Sequence, residues 1–556
     1  MTDGRPWSPV PLARGPHGAV VAPHHLATAA GLHVLRAGGS AVDAAIATNA
    51  VLGVVVPSGC GIGGDAFWLI WDAAESRQLA LNGSGRSAAA VDTAGLLARG
   101  ARTIPRRGAL SITVPGAVRS WGDAHARFGR LTRAEVLAPA VELARDGFPA
   151  SDEFIAAVES ISRILEATPD AGPGFATVFR PEHRPWRPGE RVRLPALART
   201  LETLAREGFD VFYDGDLGER QARALAGAGS PIRVEDLRAH TSTWGEPIAI
   251  DYRGVRVTTH PPNSSGVVAL ELLGLLETFE PPDATAFGPE GVTDPRWIHL
   301  HLEAAKLAMA DRDASLTDPE MRDVPVEWLL DRGRLATLAR RIDPRRAGMP
   351  PPASNPPGGG TVFLAAVDAA GNAVSLIESN YLGFGSGVVD PDTGIHYQNR
   401  GSYFSLDPEH PNVLEPRKRT LHTLLPGMLF RAGRIEPWIV VGAMGGDAQP
   451  QVHAQFVSAV VDGGLDIRTA IAAPRFYIQP ADHFAPPTAV SLEARHAPGI
   501  DVALRALGHD LVPTEPFDSN VGHEHAIELV DGGPSARGGS VAAATDPRTE
   551  GLPAVW

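Results

Sequence analysis

The chain has almost no cysteine, since Cys60 is the only one in 556 residues. An internal disulfide and a zinc site built from thiolates are therefore excluded, and the composition fits a reducing compartment. Residues 1–25 carry prolines and charges where a secretory signal needs an apolar centre. We therefore expect a cytoplasmic protein.

Long apolar runs and clustered basic residues are also missing. No run approaches the roughly 18 apolar residues that cross a bilayer, so we expect no membrane partner. The net charge is −14, and the longest basic run is PRKR, residues 416–419. A nucleic-acid partner would require a basic face, so none is expected. Hydrophobic residues make up 44% of the chain, which is enough for a large core.

What the chain does contain is a clear pattern of helices and strands. The stretch GGSAVDAAIATNAVLGVVVP, residues 38–57, predicts a buried helix in which Ser40 and Asp43 form a capping box. Residues 66–72 and 78–84 favour two strands, and residues 90–235 favour helices. Beyond Thr361 strands alternate with helices, which indicates a layered α/β or α+β domain.

Several weaker motifs also have simpler interpretations. Residues 59–64, GCGIGG, fit a dinucleotide-binding pattern, but a strand-like segment follows, so a tight glycine turn is favoured and no cofactor is expected. No spacing in the sequence links Cys60 to a residue that could act as its base, so Cys60 is a weak candidate nucleophile. Three histidine pairs lack a carboxylate at a familiar ligand spacing, so no metal is expected at these positions: His24–His25, His299–His301 and His523–His525.

The glycines at 358–360 end on Thr361, at the head of a strand that looks buried. A linker explains the glycines alone, whereas a cleavage site explains both features. If the Gly360–Thr361 bond is cut, Thr361 gains an α-amine whose ordinary pKa, about 7.7–8.0, lets it take the hydroxyl proton. The same hydroxyl can make the cut, because glycine lets the backbone bend. Residues 347–360, rich in proline and glycine, are predicted to form an exposed loop.

Five segments together resemble the γ-glutamyltranspeptidase family of N-terminal-nucleophile hydrolases, in matching order across nearly the whole chain. They are GGSAVDAAIATNAVLGVVVPSGCGIGGDAF, TVFLAAVDAAGNAVSL, FGSGVV, PRKRTLHTLLP and GAMGGDAQ. The resemblance implies an α+β fold, a four-layer αββα sandwich. It also implies a precursor that cuts itself into a large chain, 1–360, and a small chain, 361–556, which stay together as one unit. It implies no cofactor and allows a homodimer.

The resemblance also implies roles for particular residues. Thr361 would be the nucleophile of self-cleavage and catalysis, and Ser379 a hydroxyl that hydrogen-bonds it. The N–H groups of Gly445 and Gly446 would form the oxyanion hole. Taken singly, Ser379 also fits a strand hydroxyl, the glycines a turn and Arg86 a surface ion pair. The substrate-binding candidates, of which Arg86 matches the family's carboxylate-gripping arginine, are Arg86, Tyr381, Asn399, Arg400, Tyr403, His422 and Thr423.

The sequence departs from the family pattern where typical members hold a glutamyl α-amine. An Asn, a Gln and an Asp of that pattern are replaced by Tyr381, Arg400 and Tyr403. A cation therefore stands where an ammonium would be held, and a second carboxylate is favoured because arginine can bind it bidentately. A serine pair that helps bind carboxylate is replaced by His422 and Thr423. The pattern resembles the cytoplasmic transpeptidase-like branch, which includes glutathione hydrolase-like proteins and oxamate amidohydrolases.

The sequence therefore predicts a self-processing threonine hydrolase that cleaves a small carboxylate-bearing amide through an acyl-enzyme. Three alternatives stay open at this point. The first is a glutathione hydrolase or γ-glutamyl transferase. The second is an uncleaved, non-catalytic protein that binds an acidic metabolite. The third is a metal hydrolase that uses His24, His25 or His523.

Overall fold

Two seven-stranded antiparallel sheets form the centre of the fold. The structure, a computed structural model, describes residues 11–168, 172, 174–348, 360–479 and 489–556. The first sheet contains, in spatial order, β21 (Ala554–Val555), β2 (Ala19–Val21), β12 (Gly360–Val367), β13 (Ala373–Tyr381), β3 (Asp65–Asp72), β4 (Arg77–Gly83) and β7 (Thr243–Gly245). The second contains β1 (Ala13–Gly15), β20 (Ser540–Ala544), β19 (His523–Val530), β15 (Ile439–Met444), β14 (Gly427–Arg431), β9 (Val255–Thr259) and β8 (Ile248–Tyr252).

Among the described residues, seven short strands form three smaller sheets. They are the pair β5 (Phe148–Pro149) and β6 (Arg191–Val192), the pair β10 (Phe287–Gly288) and β11 (Gly291–Val292), and the sheet of β16 (Phe476–Gln479), β17 (Ala489–Glu493) and β18 (Asp510–Thr514).

The two large sheets pack face to face through apolar side chains. One buried cluster joins Phe67 and Phe363 of the first sheet to Met428, Val440 and Ile527 of the second. Alternation along each strand turns the remaining side chains to the opposite face, where helices cover them. The result is the four-layer αββα sandwich that the sequence predicts.

One helical layer covers the first sheet, and a second layer covers the other. Apart from α3, which has no buried residue, the helices of the first layer contribute to one large core cluster. They are α1 (His25–Arg36), α2 (Ala41–Val55), α3 (Thr93–Ala98), α4 (Ala117–Phe128), α5 (Arg133–Asp146), α6 (Asp152–Ala167), α7 (Phe175–Phe179), α8 (Pro195–Glu207), α9 (Gly215–Gly227) and α10 (Val234–Arg238). The second layer consists of α11 (Gly266–Leu276), α12 (Pro295–Ser315), α13 (Val326–Leu329), α14 (Arg332–Ala339), α15 (Gln449–Val461), α16 (Ile467–Ala472) and α17 (Ile500–Ala506).

Helix α2 has the predicted capping box and supports the strands that carry Thr361. The Asp43 N–H donates to Ser40 Oγ at 3.1 Å, and the Ser40 N–H donates to Asp43 Oδ2 at 2.9 Å. Every residue of α2 is buried, and the helix packs against β12 and β13. The glycine turn at residues 59–64 leads into strand β3, as the sequence predicted, and not into the helix that the dinucleotide-binding pattern requires.

Both large sheets interleave residues from before and after Gly360. In the first sheet, β12 lies between β2 and β13, and β13 pairs in turn with β3. A cut at Gly360–Thr361 would therefore leave the two parts joined by sheet hydrogen bonds and a shared core. Most of the predicted proline- and glycine-rich loop, residues 349–359, lies outside the described residues. No helix among the described residues is both long and apolar enough to cross a bilayer.

Candidate active site

The ladder between β12 and β13 brings the Thr361 and Ser379 side chains together. The two residues are register partners, and the register shifts between Gly360 and Thr361, at the predicted scissile bond. Such bulges re-aim side chains in a sheet. Thr361 Oγ1 lies 2.8 Å from Ser379 Oγ, which donates to the Gly360 carbonyl oxygen, also at 2.8 Å. The Tyr381 N–H donates to Ser379 Oγ at 2.8 Å and so fixes that hydroxyl.

Gly360 is the first residue of strand β12, and close packing of the neighbouring backbone leaves no room for a side chain there. A Cβ at this position would overlap the Ser58 carbonyl oxygen and lie 3.1 Å from the Gly383 Cα. The glycine thus allows close approach of neighbouring backbone.

Arg400 is a buried cation beside this hydroxyl pair. It is 1% exposed, and its Cζ lies 4.4 Å from the Tyr381 ring centroid. Its Nη1 and Nη2 make only long contacts, 3.3 Å to Thr423 Oγ1 and 3.5 Å to Ser379 Oγ. Within the described part of the chain its Nε has no hydrogen-bond partner and the guanidinium forms no ion pair. A buried charge without a partner is costly, so this site is suited to an anionic group of a ligand.

Two tyrosines hold Arg400 in place. The Tyr381 and Tyr403 ring centroids are 4.8 Å apart, and the Arg400 Cζ lies 5.4 Å from the Tyr403 ring centroid. Tyr381 has φ +76°, a strained conformation for a bulky residue that turns the chain at the end of β13. The surrounding structure therefore holds this aromatic face over the guanidinium.

Asp65, at the start of β3, is a second buried charge-bearing group of the site. Its Oδ1 accepts from the Gly85 and Gly116 N–H groups at 3.0 and 3.2 Å, and its Oδ2 lies 3.3 Å from His422 Nε2. Burial raises the pKa of Asp65 to about 7, although Arg400 and the backbone donors oppose the rise. Burial, followed by the Arg400 charge, holds the pKa of His422 well below its usual range. His422 is therefore a neutral ring.

Gly445 and Gly446 connect β15 to helix α15. Their φ values, +149° and +56°, suit glycine. The N–H groups at a helix start have no intrahelical acceptors, which makes them suitable donors for an oxyanion. The next residue, Asp447, accepts from Tyr403 Oη at 2.6 Å and from Arg312 Nη1 at 2.8 Å. Asp447 thus ties the predicted oxyanion loop to the Arg400 segment.

Two predicted substrate-binding residues have side chains that already contact other parts of the chain. Arg86 pairs with Glu320 at 2.7 Å, and Arg419 pairs with the same carboxylate. Asn399 accepts from the Leu382 N–H at 3.1 Å and donates to a loop carbonyl at 2.6 Å. These contacts hold loops together, so the assignment of Arg86 and Asn399 to substrate binding stays a prediction.

The rival catalytic groups lack the surroundings they would need. Cys60 is fully buried, and burial raises the pKa of its thiol, which disfavours a thiolate nucleophile. His24 caps helix α1 by accepting from the Leu26 N–H. The one group of potential metal ligands among the described residues does not include His24, His25 or His523.

The sequence reasoning missed Asp65, Asp447 and Arg312. A signal for the first two was present, because each acid directly follows a glycine pair in a segment that carries the family resemblance. Arg312 had no such signal, since only the packing of α12 brings it to Asp447.

Comparisons with known proteins agree with this geometry. The family model described as Gamma-glutamyltranspeptidase matches residues 27–556. The chain is 38% identical to a glutathione hydrolase-like YwrD proenzyme of Bacillus subtilis, over 96% of this chain and 97% of that one. It is also 38% identical to an oxamate amidohydrolase proenzyme of Klebsiella pneumoniae, over 97% and 98% of the two chains. A crystal structure of cephalosporin acylase from Bacillus halodurans superposes with a TM-score of 0.89 at 36% identity, covering 100% of this chain and 99% of that one.

Proposed function

The chain belongs to the γ-glutamyltranspeptidase family and is a self-processing amidohydrolase of the N-terminal-nucleophile type; we propose that Thr361 is its nucleophile and that its substrate is a small amide bearing a carboxylate. The observation that carries the proposal is the unpaired, buried Arg400. Its Nη2 lies 3.5 Å from Ser379 Oγ, and that hydroxyl lies 2.8 Å from Thr361 Oγ1.

Self-cleavage would occur at the Gly360–Thr361 bond and produce chains 1–360 and 361–556. Thr361 Oγ1 attacks the Gly360 carbonyl carbon, and the bond to the Thr361 nitrogen breaks, leaving an ester on Oγ1. The proton of Oγ1 passes to the departing nitrogen, so this step frees the α-amine. Water then hydrolyses the ester, which frees the hydroxyl and leaves a carboxylate on Gly360. Support comes from Ser379 Oγ, which already donates to the Gly360 carbonyl oxygen where negative charge would develop.

Turnover would use the same hydroxyl with its new α-amine as the base. The neutral amine takes the Oγ1 proton as Oγ1 attacks the substrate carbonyl carbon. The N–H groups of Gly445 and Gly446 would stabilise the oxyanion, and the amine would return the proton to the leaving nitrogen. Water then releases the acyl group from Thr361.

The substrate carboxylate would bind Arg400, with Thr423 Oγ1 beside it. A γ-glutamyl donor brings an α-ammonium as well, which a buried guanidinium would repel. The nearby Asp447 carboxylate is already bound by Arg312 and Tyr403, so it is poorly placed to hold an ammonium. The acidic amides of this description include oxamate and glutaryl amides.

The test is a comparison of kcat/KM across oxamate, glutaryl amides, glutathione and γ-glutamyl-p-nitroanilide. We expect the amides that have a carboxylate and no ammonium to be turned over best. Fast turnover of γ-glutamyl-p-nitroanilide with dipeptide acceptors, exceeding that of every acidic amide, would contradict the proposal and favour a γ-glutamyl transferase.

Variants of Arg400 separate carboxylate recognition from chemistry. Arg400→Gln should raise KM for oxamate by about 10–100-fold, the loss expected for hydrogen bonds to a charged group. Arg400→Lys keeps the charge but not the bidentate geometry, so its KM for oxamate should lie between those of wild type and Arg400→Gln. Oxamide, in which the carboxylate is replaced by a neutral amide, is the matched control and should respond little. An equal loss for both compounds would show that Arg400 does not recognise the carboxylate.

A further inference from the structure

A buried cluster of potential metal ligands lies between α12 and the segment after α17. His299 Nδ1 lies 2.8 Å from His509 Nε2. One ring nitrogen of each histidine and a Glu303 carboxylate oxygen all lie within 4.8 Å of one another. The exposed fractions of His299, Glu303 and His509 are 0%, 5% and 5%. We propose that these three residues bind a divalent ion of the zinc type and that the ion joins the two parts of the chain on either side of Gly360.

The spacing along α12 places two of the three ligands on one face of the helix. Glu303 follows His299 by four residues, so their side chains lie on the same face. His301, which the sequence pairs with His299, points away and packs against the Trp297 and Phe476 rings. The carboxylate beside His299 is that of Glu303, one helical turn further along α12.

The hydrogen bond made by His299 Nε2 leaves the other ring nitrogen, Nδ1, available as a metal ligand. Its Nε2 lies 2.8 Å from the Asp343 carbonyl oxygen, so Nε2 carries the proton and the Nδ1 lone pair faces His509. Metal-bound histidines characteristically donate their second N–H in this way. Two nitrogens that each lie about 2.0–2.1 Å from one tetrahedral zinc ion are roughly 3.3 Å apart, so the observed separation of 2.8 Å needs to widen by about half an ångström. His509 would then carry its proton on Nδ1.

Glu303 has room for an ion beside its present partners. Its Oε2 accepts from the Gly348 N–H at 2.8 Å, and its Oε1 lies 2.6 Å from Lys306 Nζ. A carboxylate offers about four lone-pair positions, so these contacts leave some available. The Lys306 side chain is 11% exposed and can turn its ammonium toward water when an ion binds. Two imidazoles and one carboxylate favour zinc and its neighbours over magnesium or calcium.

The position of the cluster favours a structural ion over a catalytic one. Arg312, which contacts the active-site residue Asp447, stands 13 residues further along α12, or about 20 Å at 1.5 Å per residue. His299 and Glu303 precede Gly360, and His509 follows it. Gly348, held by Glu303, is the last residue of the described range 174–348. The linking of two separate chains rests on the proposed cleavage, whereas ion binding does not.

The experiment counts bound metal in four forms of the full-length protein. Wild type, His509→Gln, Glu303→Gln and the control His301→Gln are stripped with a chelator, incubated with Zn²⁺ and analysed by mass spectrometry for metal content. The His301→Gln control removes a buried histidine of the same helix but none of the ligands. We expect one Zn²⁺ per full-length protein, or per pair of cleaved chains, in wild type and in the His301→Gln control. Zn²⁺ binding should be roughly tenfold weaker or more in His509→Gln and Glu303→Gln. Co²⁺ in place of Zn²⁺ should give a visible absorption band that both ligand variants lose.

Thermal unfolding supplies a second readout. Zn²⁺ should raise the Tm of wild type and of the control by a shift on the order of a few degrees and leave the ligand variants unchanged. Substoichiometric Zn²⁺ in all four proteins, with no shift in Tm, would overturn the proposal and leave a simple His299–His509 hydrogen bond. So would full binding in both ligand variants. Self-cleavage is followed separately on denaturing gels, so failure of the cut and failure of the metal site are distinguishable.

Discussion

Ser379 Oγ lies 2.8 Å from Thr361 Oγ1 and 2.8 Å from the carbonyl oxygen of Gly360. One hydroxyl therefore contacts both the proposed nucleophile and the carbonyl that it would attack. Ser379 Oγ accepts from the Tyr381 N–H and donates its single proton to the Gly360 oxygen. The hydrogen bond between the two hydroxyls is therefore donated by Thr361, so the Thr361 proton points toward Ser379, as the start of an attack requires.

Thr361→Ala should block both self-cleavage and amidohydrolysis, because the methyl side chain has no nucleophile. Thr361→Ser keeps a hydroxyl and should retain both, at a lower rate. Denaturing gels over time will show the fragments 1–360 and 361–556 in wild type and in the serine variant. If the alanine variant yields the same fragments, Thr361 does not make the cut.

Ser379→Ala should slow self-cleavage by about 10–100-fold, since a hydrogen bond to a developing charge contributes about 1.5–3 kcal/mol. The matched control is Ser375→Ala, which removes a buried hydroxyl four residues earlier on β13 that contacts the Gly427 N–H and the Val441 carbonyl oxygen. Both variants are followed by the disappearance of full-length chain. Equal slowing in the two would mean that strand β13 is merely destabilised and that Ser379 has no role in the cut.

Local sequence signals predicted much of the fold. The capping box at Ser40 and Asp43, and the threonine at the head of β12, depend on residues a few positions apart. Such short-range patterns can be read before any tertiary contact is known. The proposed nucleophile and its strand could therefore be identified from the sequence.

The electrostatic surroundings of Thr361 could not be predicted in the same way. Asp65 reaches the site because β3 pairs with β13 and places Asp65 opposite Ser379. Arg312 meets Asp447 only through the packing of α12. A sequence shows that such charges exist, but sheet register and helix packing decide which of them are buried together. The same limit applies to Arg86, which the structure pairs with Glu320.

The KM for carboxylate substrates should rise as the pH increases through about 7, and Asp65→Asn should remove that rise. Burial raises the pKa of Asp65 to about 7, so the group is neutral below that pH and ionised above it. Ionised Asp65 places a negative charge near Arg400, and this weakens the attraction of the guanidinium for a substrate carboxylate. Asparagine keeps an oxygen for the Gly85 and Gly116 N–H groups but cannot ionise.

The measurement is KM and kcat separately, with oxamate, from about pH 6 to 9. The Thr361 α-amine, with an ordinary pKa of about 7.7–8.0, should raise kcat with pH in both proteins, because only the neutral amine is a base. A KM profile in Asp65→Asn that still rises like that of wild type would exclude Asp65 as the titrating group.

Gly360→Ala should slow self-cleavage without changing catalysis by chains that have been cut. The added Cβ would overlap the Ser58 carbonyl oxygen, so the strand must shift and carry the scissile carbonyl away from Thr361 Oγ1 and Ser379 Oγ. Overpacking of this kind typically costs about 1–3 kcal/mol, which corresponds to roughly 5–150-fold slower cleavage if the cost falls on the reactive geometry.

The control Gly383→Ala places its Cβ in open space beside the same backbone and should undergo self-cleavage at the normal rate. Because the processed enzyme begins at an unchanged Thr361, kcat per cleaved chain should equal that of wild type. A reduced kcat per cleaved chain would instead indicate that Gly360 shapes the mature site, and cleavage at the wild-type rate would show that the close contact with Ser58 does not govern the cut.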